Sequence, residues 1–191
     1  YGEDMGILAG DALLNYAYET LLRGVIAAKN KENASRAAQI IAEKAGVFGM
    51  VGGQVVDVKM TGKPLTQEQL DFIYRLKTSA LLEAALMSGA ALAGAEKQEI
   101  QMLEEIGRNV GLAFQIQDDI LDIVSTTEEL GKPVHSDEKN DKTTYVSLYG
   151  MEKAKKAVES YSAQALLQLS KLPKESVYLN TLIKKLVHRK K

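Results

Sequence analysis

The sequence predicts an all-α fold organised as one domain spanning residues 1–191. Three observations lead there: long Ala-, Leu-, Glu- and Lys-rich stretches with helical apolar spacing, only three Pro in 191 residues, and no apolar/polar alternation longer than a few residues. A chain of this length can bury a sizeable core without dividing.

Tyr1 to about Ala28 reads as the first helix, and Asn30-Lys31-Glu32-Asn33 as a polar turn whose Asn33 caps the next. The second runs from Ala34 to about Met60 and is broken by Thr61-Gly62-Lys63-Pro64-Leu65. Thr66 followed three residues later by Gln69 is a capping-box signature for a third helix reaching about Ala95. Its Ser79–Ala95 portion is almost long and apolar enough to suggest a membrane span, but Glu83 inside it favours a buried bundle helix. No stable membrane insertion is expected. Gln98 to about Val124 forms the fourth helix, and Ser125–Asp141, with no apolar periodicity, a long functional loop. Helices resume near Thr144, again over Glu152–Lys171, and finally after Pro173.

Charge and composition exclude several functions. With 24 Lys+Arg against 25 Asp+Glu there is no global basic field for a nucleic acid. The absence of Cys removes thiolate metal sites and thiol nucleophiles, and His135 and His188 lie too far apart for a helical metal pair. Any metal is expected on oxygen. The acidic start Tyr1-Gly2-Glu3-Asp4 lacks the basic region of a secretory signal, so a cytoplasmic location is expected.

The most informative stretch is Phe114-Gln115-Ile116-Gln117-Asp118-Asp119-Ile120-Leu121-Asp122. At about 100° per residue, Gln115, Asp118, Asp119 and Asp122 share an arc of roughly 100° on an otherwise apolar helix. Three carboxylates there repel one another and oppose the helix dipole, so something positive should compensate them. Mg²⁺ suits the task because it takes oxygen ligands and commonly joins one or two carboxylates to substrate phosphates. Gly111, one turn earlier on the same face, is expected to leave room for a ligand. Lys77 follows the stripe Leu70, Ile73, Leu81 and Ala84, which would carry an ammonium into an apolar face unless it is paired or reaches out.

The segment resembles the second aspartate-rich motif of the trans-isoprenyl diphosphate synthases, the farnesyl and geranylgeranyl diphosphate synthase family. Gly10-Asp11-Ala12-Leu13-Leu14, Gly52-Gly53-Gln54 with Asp57, Lys77-Thr78, Gly131-Lys132, Ser136-Asp137 and Lys142-Thr143-Thr144-Tyr145 resemble further motifs of that family in the same order. Tyr74 stands where the family often has His, Ser79 where it often has Gly, and His135 where Gly is usual; these are expected to adjust packing or loop shape.

The resemblance implies the isoprenoid synthase helical bundle and a short-chain prenyltransferase, with farnesyl diphosphate the expected product and a homodimer the expected state. It implies Mg²⁺ on Asp118, Asp119 and Asp122. Lys77, Thr78, Gln115, Lys132 and Lys142 would contact the allylic diphosphate, Phe114 would lie beside it, and Arg189 would serve isopentenyl diphosphate. A non-catalytic partner subunit and a terpene cyclase are the alternatives. The family also uses a first aspartate-rich motif, upstream of the Gly10–Leu14 segment. No acidic cluster here (Glu3-Asp4, Glu104-Glu105, Glu128-Glu129, Asp137-Glu138) supplies one. The chain is therefore expected to match about the C-terminal two thirds of a synthase, without its N-terminal helices, and to be inactive alone.

Overall fold

A computed structural model describes residues 1–125, 142–187 and 189. Over these the chain is helical without a strand: α1 (Glu3–Ala27), α2 (Lys31–Ala45), α3 (Met50–Met60), α4 (Gln67–Ile73), a π-helical turn (Tyr74–Ser79), α5 (Ala80–Leu92), α6 (Lys97–Val124), α7 (Tyr145–Tyr149), α8 (Met151–Leu169) and α9 (Val177–Val187). No helix among the described residues is long and apolar enough to cross a membrane.

The 28-residue α6 is the axis of the bundle. Its apolar positions feed three successive core clusters. Ile100 joins Ala37, Ile40 and Ala91 of α2 and α5. Leu103, Ile106 and Val110 meet Ala165, Leu169 and Ile183 of α8 and α9. Ala113, Ile116 and Ile120 meet Leu70, Ile73 and Tyr74 with Ala154 and Val158. The last cluster underlies the acidic end of α6, so the carboxylates stand on packed core.

Capping residues set the helix starts. Thr66 and Gln69 form the expected box, the Gln69 N–H donating to Thr66 Oγ1 at 3.3 Å and the Thr66 N–H to Gln69 Oε1 at 3.0 Å. At α2 the cap is Asn30 and not Asn33: Asn30 Oδ1 accepts the Asn33 N–H at 3.0 Å, placing Asn33 inside the helix. The helix expected over Ala34–Met60 is two helices, divided at Gly46–Gly49. The chain turns so tightly there that a Cβ on Gly49 would fall 1.9 Å from the Lys44 carbonyl oxygen, and one on Gly52 2.2 Å from that of Val47.

The run after Thr66 is continuous but not uniformly α. Through the π turn the Ala80 N–H donates five residues back, to the Arg75 carbonyl, and Ser79 Oγ donates to the Tyr74 carbonyl at 3.1 Å. This extra residue per turn rotates α5 relative to α4, and Leu81, expected on the buried stripe with Leu70 and Ile73, is 45% exposed.

Glu83, 2% exposed, is the deepest charge on α5. Lys44 Nζ donates to Glu83 and, at 2.6 Å, to Glu104, while Arg108 Nε reaches Glu83 at 3.3 Å. Burial works against the Lys44 charge, yet its hydrogen bonds to Glu104 and Glu83 prevail and raise its pKa above the usual 10.5. Gly107 makes this crossing possible, since a Cβ there would lie 2.7 Å from the Glu83 Cα. Replacing Glu83 with Ala strands two cations, and a loss of about 3 kcal/mol is expected from chemical denaturation. An unchanged midpoint would mean that α2, α5 and α6 are held by apolar contacts alone.

Candidate active site

Two close backbone approaches assemble the site. Gly53 lets α3 press on the π turn, where a Cβ would come 2.4 Å from the Lys77 nitrogen. Gly111 does the same for α6, where a Cβ would lie 2.4 Å from Ser79 Oγ and 2.5 Å from its Cα. The space beside Gly111 is thus filled by Ser79 and does not await a ligand, contrary to the expectation from its position on the helix.

One turn beyond Gly53, Asp57 faces the π turn. Lys77 Nζ donates to Asp57 Oδ2 at 2.5 Å, and Lys142 Nζ lies 3.5 Å from the same oxygen. The apolar stripe does not swallow Lys77, because Asp57 pairs with it at the stripe's edge. Thr78 Oγ1 donates to Gln115 Oε1 at 2.8 Å, tying the π turn to α6. Asp57, Lys77, Gln115, Asp119 and Lys142 line one cleft with Tyr74, Thr143 and Thr144. Sequence reasoning placed Asp57 only within a motif; the signal that marks it is its spacing of four from Gly53, which carries the carboxylate to the same helix face.

The carboxylates of α6 divide. Asp119, 3% exposed, accepts from the Tyr74 hydroxyl and, at 2.9 Å, from the Tyr145 N–H. Asp122 is equally buried, whereas Ile123 and Val124 are 42% and 58% exposed. The acidic arc is therefore shielded from solvent at Asp119 and Asp122. Asp118 lies at the edge and takes its positive partner from the C-terminal segment: Arg189 Nη2 donates to Asp118 Oδ1 at 3.1 Å and to the Phe114 carbonyl at 3.4 Å. The guanidinium also stacks 3.6 Å over the Phe114 ring. Burial pushes the Arg189 pKa down, and Asp118 opposes the shift.

Among the described residues no three His, Cys, Asp or Glu side chains converge to hold an ion. The expected trio does not meet at one point because Asp119 is turned onto Tyr74, leaving Asp118 and Asp122 one turn apart along the helix. Two carboxylates of that spacing, in a chain without Cys, fit a cation that takes its remaining ligands from water and substrate phosphate, as Mg²⁺ does. The structure brings together Lys77, Thr78, Gln115 and Lys142, and separately Phe114, Asp118 and Arg189; Lys132 lies outside the described residues, with the rest of the loop expected to end at Asp141.

The sequence profile of the polyprenyl synthetase family matches residues 1–179. The chain belongs to that family. Among relatives of this polyprenyl synthetase chain, the geranylgeranyl diphosphate synthase of Cyanophora paradoxa is 48% identical over 164 residues, 83% of this chain and 53% of that protein. The farnesyl diphosphate synthase of Geobacillus stearothermophilus is 41% identical over 155 residues, 81% of this chain and 52% of its own. The crystal structure of the geranyltransferase from Helicobacter pylori complexed with magnesium and isoprenyl diphosphate superposes with a TM-score of 0.82 at 31% identity, covering 98% of this chain and 60% of that one. The chain spans about half the length of these curated relatives. The figure of two thirds expected from the motif order is not borne out, and the family match runs along nearly the whole chain.

Proposed function

We propose that the protein containing this chain is a short-chain isoprenyl diphosphate synthase, joining an allylic diphosphate to isopentenyl diphosphate. The convergence of Lys77 and Lys142 on one Asp57 oxygen carries this reading, because two cations held by a single carboxylate are arranged to receive a dianionic group. A diphosphate entering the cleft would draw both ammonium groups, with Thr78 and Gln115 adding polar contacts beside them. Asp118 and Asp122 would hold Mg²⁺, with Asp119 behind them; when bound, the ion neutralises the diphosphate and stabilises the charge it gains as the C–O bond ionises. Lys77 and Lys142, fixed beforehand by Asp57, serve the same developing charge without reorganising. Phe114 and the apolar core next to it would keep water from the allylic cation until the double bond of isopentenyl diphosphate attacks. Arg189 sits close enough to Asp118 to exchange it for the second substrate's diphosphate.

Farnesyl diphosphate is the product the family resemblance implies, and geranylgeranyl diphosphate, named for the 48% relative, is its competitor. A homodimeric, cytoplasmic enzyme completes the reading; the row of exposed apolar residues on α1, Leu8, Leu13, Leu22 and Ile26 among them, supports an association surface. The test is to incubate the full-length protein with isopentenyl diphosphate and dimethylallyl or geranyl diphosphate. Elongation is expected, its chain length identifying the product; a cyclic hydrocarbon would indicate a cyclase, and no turnover a non-catalytic subunit.

Lys77→Ala probes the assignment of subsites. Loss of one charge-assisted contact should weaken the allylic diphosphate about tenfold or more. Isopentenyl diphosphate, screened from Lys77 by solvent and salt, should lose far less. Equal weakening of both substrates in binding assays would contradict the placement of the allylic group here.

A further inference from the structure

We propose that Tyr74 is a positioning residue, whose hydroxyl fixes the 142–145 segment and thereby holds Lys142 in the diphosphate cleft. The inference rests on the synthase reading and goes beyond it, since nothing in that reaction calls for a phenol at this position.

Tyr74, 7% exposed, opens the π turn that carries Lys77 and Thr78. Its hydroxyl donates to Asp119 Oδ2 and accepts the Tyr145 N–H at 3.2 Å, while that N–H also reaches Asp119 Oδ2 at 2.9 Å. One phenol oxygen therefore joins the π turn, the carboxylate helix and the first residue of α7. A second pin lies two residues earlier, where Thr143 Oγ1 accepts the Leu65 N–H at 3.2 Å. Thr144 between them caps α7, accepting the Ser147 N–H at 3.1 Å. Lys142 directly precedes these pinned residues and extends to within 3.5 Å of Asp57 Oδ2, the oxygen that also holds Lys77. The lysine side chain is flexible and 32% exposed, so the precision of its ammonium depends on where the backbone of 142–145 is anchored. Asp119, buried against Tyr74, is thereby assigned to supporting the cleft from behind.

The test compares Tyr74→Phe, Lys142→Ala and the double variant in the full-length protein. Three measurements are made: calorimetric affinity for inorganic pyrophosphate with Mg²⁺, KM for each substrate, and amide exchange at Tyr145. Loss of the hydroxyl is expected to weaken pyrophosphate about fivefold. It should raise the allylic KM more than that of isopentenyl diphosphate, and speed exchange at Tyr145. In the Lys142→Ala background the same replacement should weaken pyrophosphate no further, because Tyr74 acts through that lysine. An equal factor in both backgrounds, or unchanged affinity and exchange, would overturn the inference while leaving the synthase reading intact. Failure of the unaltered protein to bind pyrophosphate or allylic diphosphate would overturn both. If Tyr74→Phe does not fold, Thr143→Val removes the second pin and should give the same substrate-selective loss, again only when Lys142 is present; a loss independent of Lys142 would count against the proposal.

Discussion

Asp118→Ala in the full-length protein is expected to lower turnover by at least ~10²-fold, the scale of losing one preorganised electrostatic contribution to a transition state. Asp118 is the acidic residue at the rim of the site, its side chain 32% exposed and paired at 3.1 Å with Arg189. Removing it deletes one of the two carboxylates proposed for Mg²⁺ and releases the guanidinium that anchors the C-terminal segment over Phe114. The fold should tolerate the change, because a partly exposed ion pair contributes only about 1 kcal/mol or less. Steady-state kinetics together with a thermal melt decide the matter. Near-normal turnover accompanied by a large fall in melting temperature would make Asp118 a structural residue that ties down the C-terminus.

A larger effect, near-total loss, is expected when these 191 residues are produced with nothing added at either end. Asp118-Asp119 is the single Asp-Asp pair in the sequence, and Arg189 is the one cation assigned here to isopentenyl diphosphate. Ionisation requires several cations acting on one leaving group, and such contributions are strongly non-additive. The same polypeptide presents Leu13, Leu14, Leu22 and Ile26 of α1, and Phe48, Val55 and Val58 at and before α3, to solvent. Aggregation, or pairing with a complementary chain, should accompany the loss. Robust elongation by a preparation whose intact mass equals that of the 191 residues would show that one aspartate pair suffices.

Periodicity made the helices legible because most of them bury a face: α4, α6 and α8 show the apolar spacing that the core then uses. The break at Gly46–Gly49 was signalled by four glycines within Gly46–Gly53, but the apolar residues between them mask it, and the close approach of Gly49 to the Lys44 carbonyl shows how tight the turn is. The π turn is silent in sequence, as Tyr74–Ser79 contains nothing that a helix forbids. In the cleft, Lys77, Thr78 and Gln115 were readable as motif residues, whereas the inward turn of Asp119 was not. That turn depends on Tyr74 and on the Tyr145 N–H, 45 and 26 positions away in sequence, and no pattern local to α6 encodes either partner.

The π turn has an evolutionary side. A π turn is a helix holding one residue more than its hydrogen-bond pattern would otherwise accommodate, so it behaves as an insertion that never left the helix. Deleting a single residue between Tyr74 and Ser79 would restore an ordinary helix in the turn itself. The side chains beyond the deletion would swing by about 100° around the axis. Realigning α5 on its core neighbours would then pull Lys77 and Thr78 out of line with Asp57 and Gln115. A single-residue deletion at this site is thus expected to disable the cleft while leaving the chain helical.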